Sequence, residues 1–210
     1  MNSKIPISYS LINNVTNKPV YLFTRPNATQ RSNIFTNEYN DNTTNNQYTS
    51  KYGIPFECIE FVRRFFVQTI GYTFPSIKDT EEMFETINML TNIRNQHIIH
   101  LKTFNVPINH GNNPNEILTL LKPGNILFWK KTNDAQLKYG HVALIIESND
   151  ETTKIANQNM YPAFRVFNTQ NLITKLSDPH SPFLGIKVLP THINNELSSV
   201  KIKHIVKNDN

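Results

Sequence analysis

The apolar period of this 210-residue chain changes at Lys122-Pro123-Gly124, and that change restricts the fold more than any other feature. Ahead of it the period is helical. Cys58, Val62, Phe65 and Thr69, with Phe61 beside them, recur at i, i+4, i+7, and Pro55 and Gly71 punctuate the two ends. A second helix is predicted to open at Asp79, capped by it and by Glu82, with Met83, Ile87 and Leu90 on its buried stripe. Behind the change the runs are short and apolar: Asn125–Trp129, His141–Glu147 and Thr153–Asn157, the last two joined by a turn at Ser148–Glu151. Further strands are expected at Phe164–Phe167 and Phe183–Leu189. Helices followed by an antiparallel sheet make an α+β fold.

The remaining segments are accessories to that core. Pro19–Thr24 reads as a short strand in an N-terminal arm, and Val200–Ile205 alternates like a strand before a polar end. The stretch Asn37–Ser50 has no apolar period and is expected to be a loop near Cys58, a candidate wall of a site. Asn95–Pro114 reads as irregular. It holds His97, His100 and His110, whose spacing fits no metal motif, so neither a metal nor a cofactor is expected.

Composition removes several function classes. A hydrophobic fraction of 38% with 13 Phe and 8 Tyr supports one packed core. One cysteine excludes an internal disulfide framework and suits a reducing compartment. Met1–Pro6 has neither the charged start nor the apolar run of a signal peptide, and no stretch approaches the ~18 apolar residues of a membrane span. A soluble, cytoplasmic protein is expected. The formal charge of +5 is scattered rather than clustered, which argues against nucleic acid as a partner.

Cys58 sits in the first turn of its helix, where unpaired backbone N–H groups favour a thiolate and would lower its pKa. Such a cysteine is a nucleophile if a base meets it, and a small core hydrophobe if none does. His141, after Gly140 and at the first position of a buried strand, projects from the sheet edge and is the candidate base; the bland alternative is a histidine bonded to backbone. Asn157, late on the returning strand, lies within reach of His141 in an antiparallel hairpin, and its carbonyl would orient the imidazole; otherwise it is a turn residue.

Four ordered blocks carry a resemblance: Phe56-Glu57-Cys58-Ile59-Glu60-Phe61-Val62-Arg63-Arg64, Pro123-Gly124-Asn125-Ile126-Leu127-Phe128-Trp129, Gly140-His141-Val142-Ala143-Leu144-Ile145 and Ile155-Ala156-Asn157-Gln158-Asn159. Their order and spacing resemble the CHAP family of cysteine- and histidine-dependent amidohydrolases and peptidases, and most of all its amidase branch, represented by glutathionylspermidine synthetase/amidase. The match runs from about Tyr39 to about Leu189. It implies a papain-like fold, with residues 1–36 as an arm, 37–190 as the amidase-like domain and 191–210 as a tail. It also implies Cys58 as nucleophile, His141 as base then acid, Arg63 facing the carboxylate of a glutathione-like acyl group, and Asn159 as a polar residue near that pocket.

Three positions depart from the family pattern, the first being Phe56 in place of a tryptophan. Glu57 stands where the family has a glutamine that donates to the oxyanion, and Asn157 stands where the amidases have a glutamate. An ionised Glu57 cannot donate and opposes developing negative charge. The function expected is hydrolysis of a small amide such as a glutathionylspermidine-like conjugate, through an acyl-enzyme. The alternatives are a peptidoglycan amidase or endopeptidase and a weakened member that binds a thiol or peptide ligand.

Overall fold

Six successive buried residues, His141 to Ile146, need cover on both faces, and the strand they form is the centre of the molecule. The computed structural model describes residues 8–13, 19–24, 52–53, 57–105, 114–133, 137–158, 164–176, 182–198 and 200–203. In chain order these form β1 (Ser8–Asn13), β2 (Pro19–Thr24), α1 (Cys58–Ile70), β3 (Tyr72–Thr73), α2 (Thr80–Thr86), β4 (Met89–Asn92), β5 (Ile98–His100) and β6 (Lys102–Asn105). There follow α3 (Pro114–Leu120), β7 (Ile126–Trp129), β8 (His141–Ser148), β9 (Thr152–Asn157), β10 (Phe164–Asn168), α4 (Thr169–Leu176), β11 (Phe183–Val188), α5 (Thr191–Ser198) and β12 (Lys201–Lys203).

The protein is α+β, with antiparallel pairing throughout the described sheets. The main sheet has the order β10-β9-β8-β7-β11-β6, and β3-β4-β5 and β12-β1-β2 form two smaller ones. Side chains alternate across the main sheet as the pleat requires. Val142, Leu144, Phe128 and Ala156 join one apolar cluster with α1, α2 and α5. Ala143, Ile145, Leu127, Ile155 and Ile186 join a second with α3 and α4. Helix α1 lies across β8, and β2 lies against α1.

Local chemistry fixes the ends of the elements. Gly71 closes α1 in the left-handed region at φ 75°, its N–H reaching the carbonyls of Phe66 and Val67, a conformation that favours glycine. Asp79 caps α2 by accepting the Glu82 N–H at 3.0 Å, while the Glu82 carboxylate accepts from Lys78 N at 2.8 Å, one residue outside a regular capping box. Buried Asn125 holds α5 to the sheet, accepting from Leu189 N and Asn194 Nδ2, both at 2.9 Å.

Several sequence expectations change here. Helix α2 stops at Thr86 because Ile87 turns extended, so Leu90 is buried from strand β4 and not from a helical stripe. The stretch read as irregular contains β5 and β6, and β1, α3, α4 and α5 form where no element was expected. His97 accepts or donates through Nδ1 to Tyr72 Oη at 2.9 Å on the surface, and His100 is exposed on β5. The Asn37–Ser50 loop and His110 lie outside the described residues. Among the described residues no helix is long and apolar enough to cross a membrane.

Candidate active site

The start of α1 is built to face the start of β8. Glu57 is the N-cap with extended backbone, φ −81° and ψ 150°, and its side chain makes no capping bond. The first-turn N–H groups therefore lack intrahelical partners. The backbone N–H groups of Val142, Ile59 and Cys58 itself are close enough to the sulfur to favour its thiolate. Since Val142 follows His141, the thiol rests on the opening of β8. Gly140 lets the turn ahead of His141 pack tightly on α2 and β7: at φ 71°, a β-carbon there would stand 1.8 Å from Thr80 Oγ1 and 2.7 Å from the Trp129 carbonyl. Thr80, the first residue of α2, donates through Oγ1 to Tyr139 O at 2.7 Å and so braces the turn into His141.

Strand register brings the third residue. Asn157 pairs with Ala143 across the β8–β9 ladder, two residues from His141, and its Oδ1 lies 3.1 Å from His141 Nε2. An amide oxygen only accepts, so Nε2 carries the proton and Nδ1 keeps the lone pair. Opposite His141 on β7, Trp129 sets its ring 5.8 Å from the imidazole at 40°, limiting how the ring turns. Asn157 Nδ2 is buried and finds no hydrogen-bond partner among the described residues. Cys58, His141 and Asn157 are 7, 5 and 1% exposed.

That burial overturns the expectation of an acidic thiol. Burial pushes the Cys58 thiol up to about 12, the Glu57 charge adds to the rise, and the three backbone N–H groups offset only part of it. Burial also lowers His141 to about 4, against the hydrogen bond it donates to Asn157, with Arg165 adding to the fall. The helix end favours the thiolate, as expected, but desolvation wins. At neutral pH the site holds a thiol and a neutral imidazole.

Beneath the thiol lies a buried polar cluster that sequence reasoning did not assign. Arg64 Nε meets Glu60 Oε1 at 2.7 Å, Arg64 Nη2 donates to Gln158 Oε1 at 3.0 Å, and Gln158 Nε2 donates to Glu60 Oε2 at 2.7 Å and to the Glu57 carbonyl at 2.9 Å. All three side chains are at most 3% exposed. The Glu60–Arg64 spacing of i, i+4 was visible in the sequence. Its burial and its partner Gln158, just past the end of β9, were not.

The other candidate residues separate. Arg63 is buried and turns away from open space: Nε donates to Phe74 O at 3.1 Å, the other nitrogens reach the carbonyls of Tyr52 and Pro75, and its guanidinium lies 4.7 Å from the Phe74 ring. Glu57 is half-buried with its charge felt at Cys58. Asn159 lies outside the described residues. The structure thus pairs His141 with Asn157 and sets Cys58 against the backbone of Val142, the next residue after His141, with Glu57 beside the thiol and Arg63 committed to the backbone of neighbouring segments.

No family model matches the chain. The bifunctional glutathionylspermidine synthetase/amidase of Escherichia coli strain K12 is 28% identical over 125 residues, which cover 59% of this chain and 18% of the relative. The enzyme of the same name from Shigella flexneri matches with the same identity and coverage. The chain therefore matches less than a fifth of the length of these relatives, at a distance that makes it similar to an enzyme with an amidase part.

Proposed function

We propose that the protein is a cysteine-dependent amide hydrolase of papain-like, CHAP type, acting on a small amide of the glutathionylspermidine kind. One observation carries the reading: a helix-initial thiol rests on the first residues of a strand whose leading histidine is oriented by an asparagine of the next strand. Similarity to relatives whose name includes an amidase supports the reaction class.

The chemistry follows from neutral partners. His141 Nδ1 takes the Cys58 proton as the sulfur attacks the amide carbon, so the ion pair forms only with bond making. The carbonyl oxygen becomes an oxyanion held by the Cys58 backbone N–H and a second donor. Collapse breaks the C–N bond, His141 returns the proton to the departing amine, and a thioester remains. Water, deprotonated by His141, then attacks the thioester, releasing the acid and restoring the thiol. Arg63 serves by fixing the chain at Tyr52 and Phe74–Pro75. Residues 37–190 form the hydrolase unit.

Purified protein is expected to hydrolyse glutathionylspermidine to glutathione and spermidine, and Cys58→Ala to lose roughly a thousandfold or more of the rate. Activity surviving that substitution would move the chemistry elsewhere. Cleavage of cell-wall peptides in place of the polyamine conjugate would shift the substrate class and keep the mechanism. A second reading, a ligand-binding member with little turnover, has Glu57 and the raised thiol behind it; tight binding of glutathione without hydrolysis of its conjugates would select it.

A further inference from the structure

We infer that Gln158, held by Glu60 and Arg64, is a positioning residue that locks the oxyanion-donating peptide of Cys58 to the strand end carrying Asn157. The inference rests on the proposed hydrolase reading and adds to it residues that sequence pattern did not assign.

Asn157 is the last residue of β9 and Gln158 the first beyond it, and their side chains serve different partners. Asn157 turns to His141 at 3.1 Å, while Gln158 turns to α1. The Gln158 amide has two N–H donors and one oxygen, and all have partners: the donors reach the Glu57 carbonyl at 2.9 Å and Glu60 Oε2 at 2.7 Å, and the oxygen accepts from Arg64 at 3.0 Å. The amide has one consistent orientation, since rotating it would set its NH2 against the guanidinium and its oxygen against a carboxylate and a carbonyl.

The target of that bond matters more than its strength. The Glu57 carbonyl and the Cys58 N–H belong to one rigid peptide plane. That carbonyl also accepts from Phe61 N at 3.1 Å, the first helical bond of α1, so two donors fix its direction. Fixing the carbonyl fixes the Cys58 N–H pointing the other way, the donor a developing oxyanion would meet. In this chain that donor bears more of the load, because an ionised Glu57 side chain offers no hydrogen bond to an anion. One side chain thus couples the oxyanion donor to the residue that orients the base.

A cluster serving stability alone would not need charge. Buried ion pairs seldom stabilise more than apolar residues of similar volume. Glu60 and Arg64 balance each other at 2.7 Å and give Gln158 a fixed donor and a fixed acceptor, which a leucine pair could not.

Gln158→Met keeps the shape and removes every hydrogen bond of the amide. With glutathionylspermidine as substrate, kcat is expected to fall ten- to a hundredfold with KM within twofold, because the lost contact acts on the transition state. Ile173→Val, in the apolar cluster on the opposite face of the sheet, is the matched control for lost packing and should leave kcat within twofold. A substrate-free arm separates this inference from the hydrolase reading: in NMR titration, His141 of Gln158→Met should titrate at least one pH unit higher than in the wild type, as the strand end loosens and water enters. If the wild type hydrolyses nothing, the hydrolase reading fails while this titration still decides the clamp. Unchanged turnover together with an unchanged His141 titration overturns it, as does an Ile173→Val enzyme slowed as much as Gln158→Met. Should Gln158→Met fail to fold, Gln158→Asn, which keeps an amide one methylene short of the Glu57 carbonyl, takes its place with the same expected results.

Discussion

The two faces of the main sheet are made by the same strands and covered in different ways. Toward α3 and α4 the cover is uncharged: Ile117, Leu121, Leu172, Ile173 and Leu176 pack on Leu127, Ala143, Ile145 and Ile155, with one buried hydroxyl pair, Thr153–Thr169, at its edge. Toward α1 and α2 an equally buried apolar cluster encloses charged side chains, Glu60 and Arg64 near the thiol and Lys187 beside α2. The first face could be repacked with other hydrophobes of similar volume at small cost. The second spends stability on polar groups, and each sits where a backbone segment must be held. Lys187 shows this away from the site: its ammonium bonds Asn88 Oδ1 at 2.9 Å and Thr103 Oγ1 at 2.6 Å, tying the segment after α2 to strand β6. The lesson is that buried charge in this molecule marks fixed geometry.

The largest effect that could break this comparison comes from Arg64. Arg64→Met leaves the Glu60 carboxylate buried without its cation and is expected to cost about 3–5 kcal/mol in denaturant unfolding. Arg64→Met with Glu60→Leu should recover most of that loss, since an apolar pair replaces a balanced one, yet hydrolysis should stay slow because Gln158 has lost two partners. Recovery of both stability and rate in the double variant would make the two faces equivalent. On the other face, Leu172→Ala is expected to cost about 2–5 kcal/mol through its cavity and to leave kcat per folded molecule unchanged. A large loss of kcat there would erase the distinction from the opposite side.

How much of this could be read beforehand divides along physical lines. The positions of Cys58, at a helix start, and His141, at a strand start, with Asn157 on the neighbouring strand were legible because a helix bounded by Pro55 and Gly71, a glycine turn and a two-residue strand alternation are local signals, and two strands joined by a short turn have few possible registers. The smaller sheet was not, because strands as short as Ile98–His100 show no period. The end of α2 was misplaced since Ile87 and Leu90 continue a helical stripe in sequence while the backbone has already turned extended. Gln158 carried no signal at all: its partner Glu60 is 98 residues away, and only folding joins them. The acidity of Cys58 was misread for the same reason, since depth of burial is a property of the packed molecule.

The next effect sharpens the comparison through pH. His141 titrates near 4 in the folded protein, below its ordinary 6.5, so the unfolded chain binds more protons between those values. Stability should therefore rise with pH from about 4 to about 6.5 and gain nothing further from this residue above that. Cys58 acts at the other end: the folded state keeps its proton to about 12, against an ordinary 9.0, so stability should fall as pH rises above about 9. Urea unfolding across this range would show a plateau between the two limbs. His141→Gln should flatten the acid limb, and an acid limb unchanged in that variant would assign it to other groups.

The smallest expected effect belongs to Glu57, where the polar side of the molecule meets solvent. Its charge favours the protonated thiol, after burial itself. Glu57→Gln keeps the size, removes the charge and supplies an amide donor. A charge acting on a partly exposed site is worth roughly 1 kcal/mol, about fivefold in thiolate population. Alkylation of Cys58 by iodoacetamide at pH 9 should quicken by about that factor. Hydrolysis should quicken more than alkylation, because the new amide can also donate to the oxyanion, a bond that alkylation does not use. Equal gains in both would confine Glu57 to setting the thiol's acidity. No gain in either would mean that water screens its carboxylate, leaving the oxyanion to the Cys58 peptide plane that Gln158 holds from beneath.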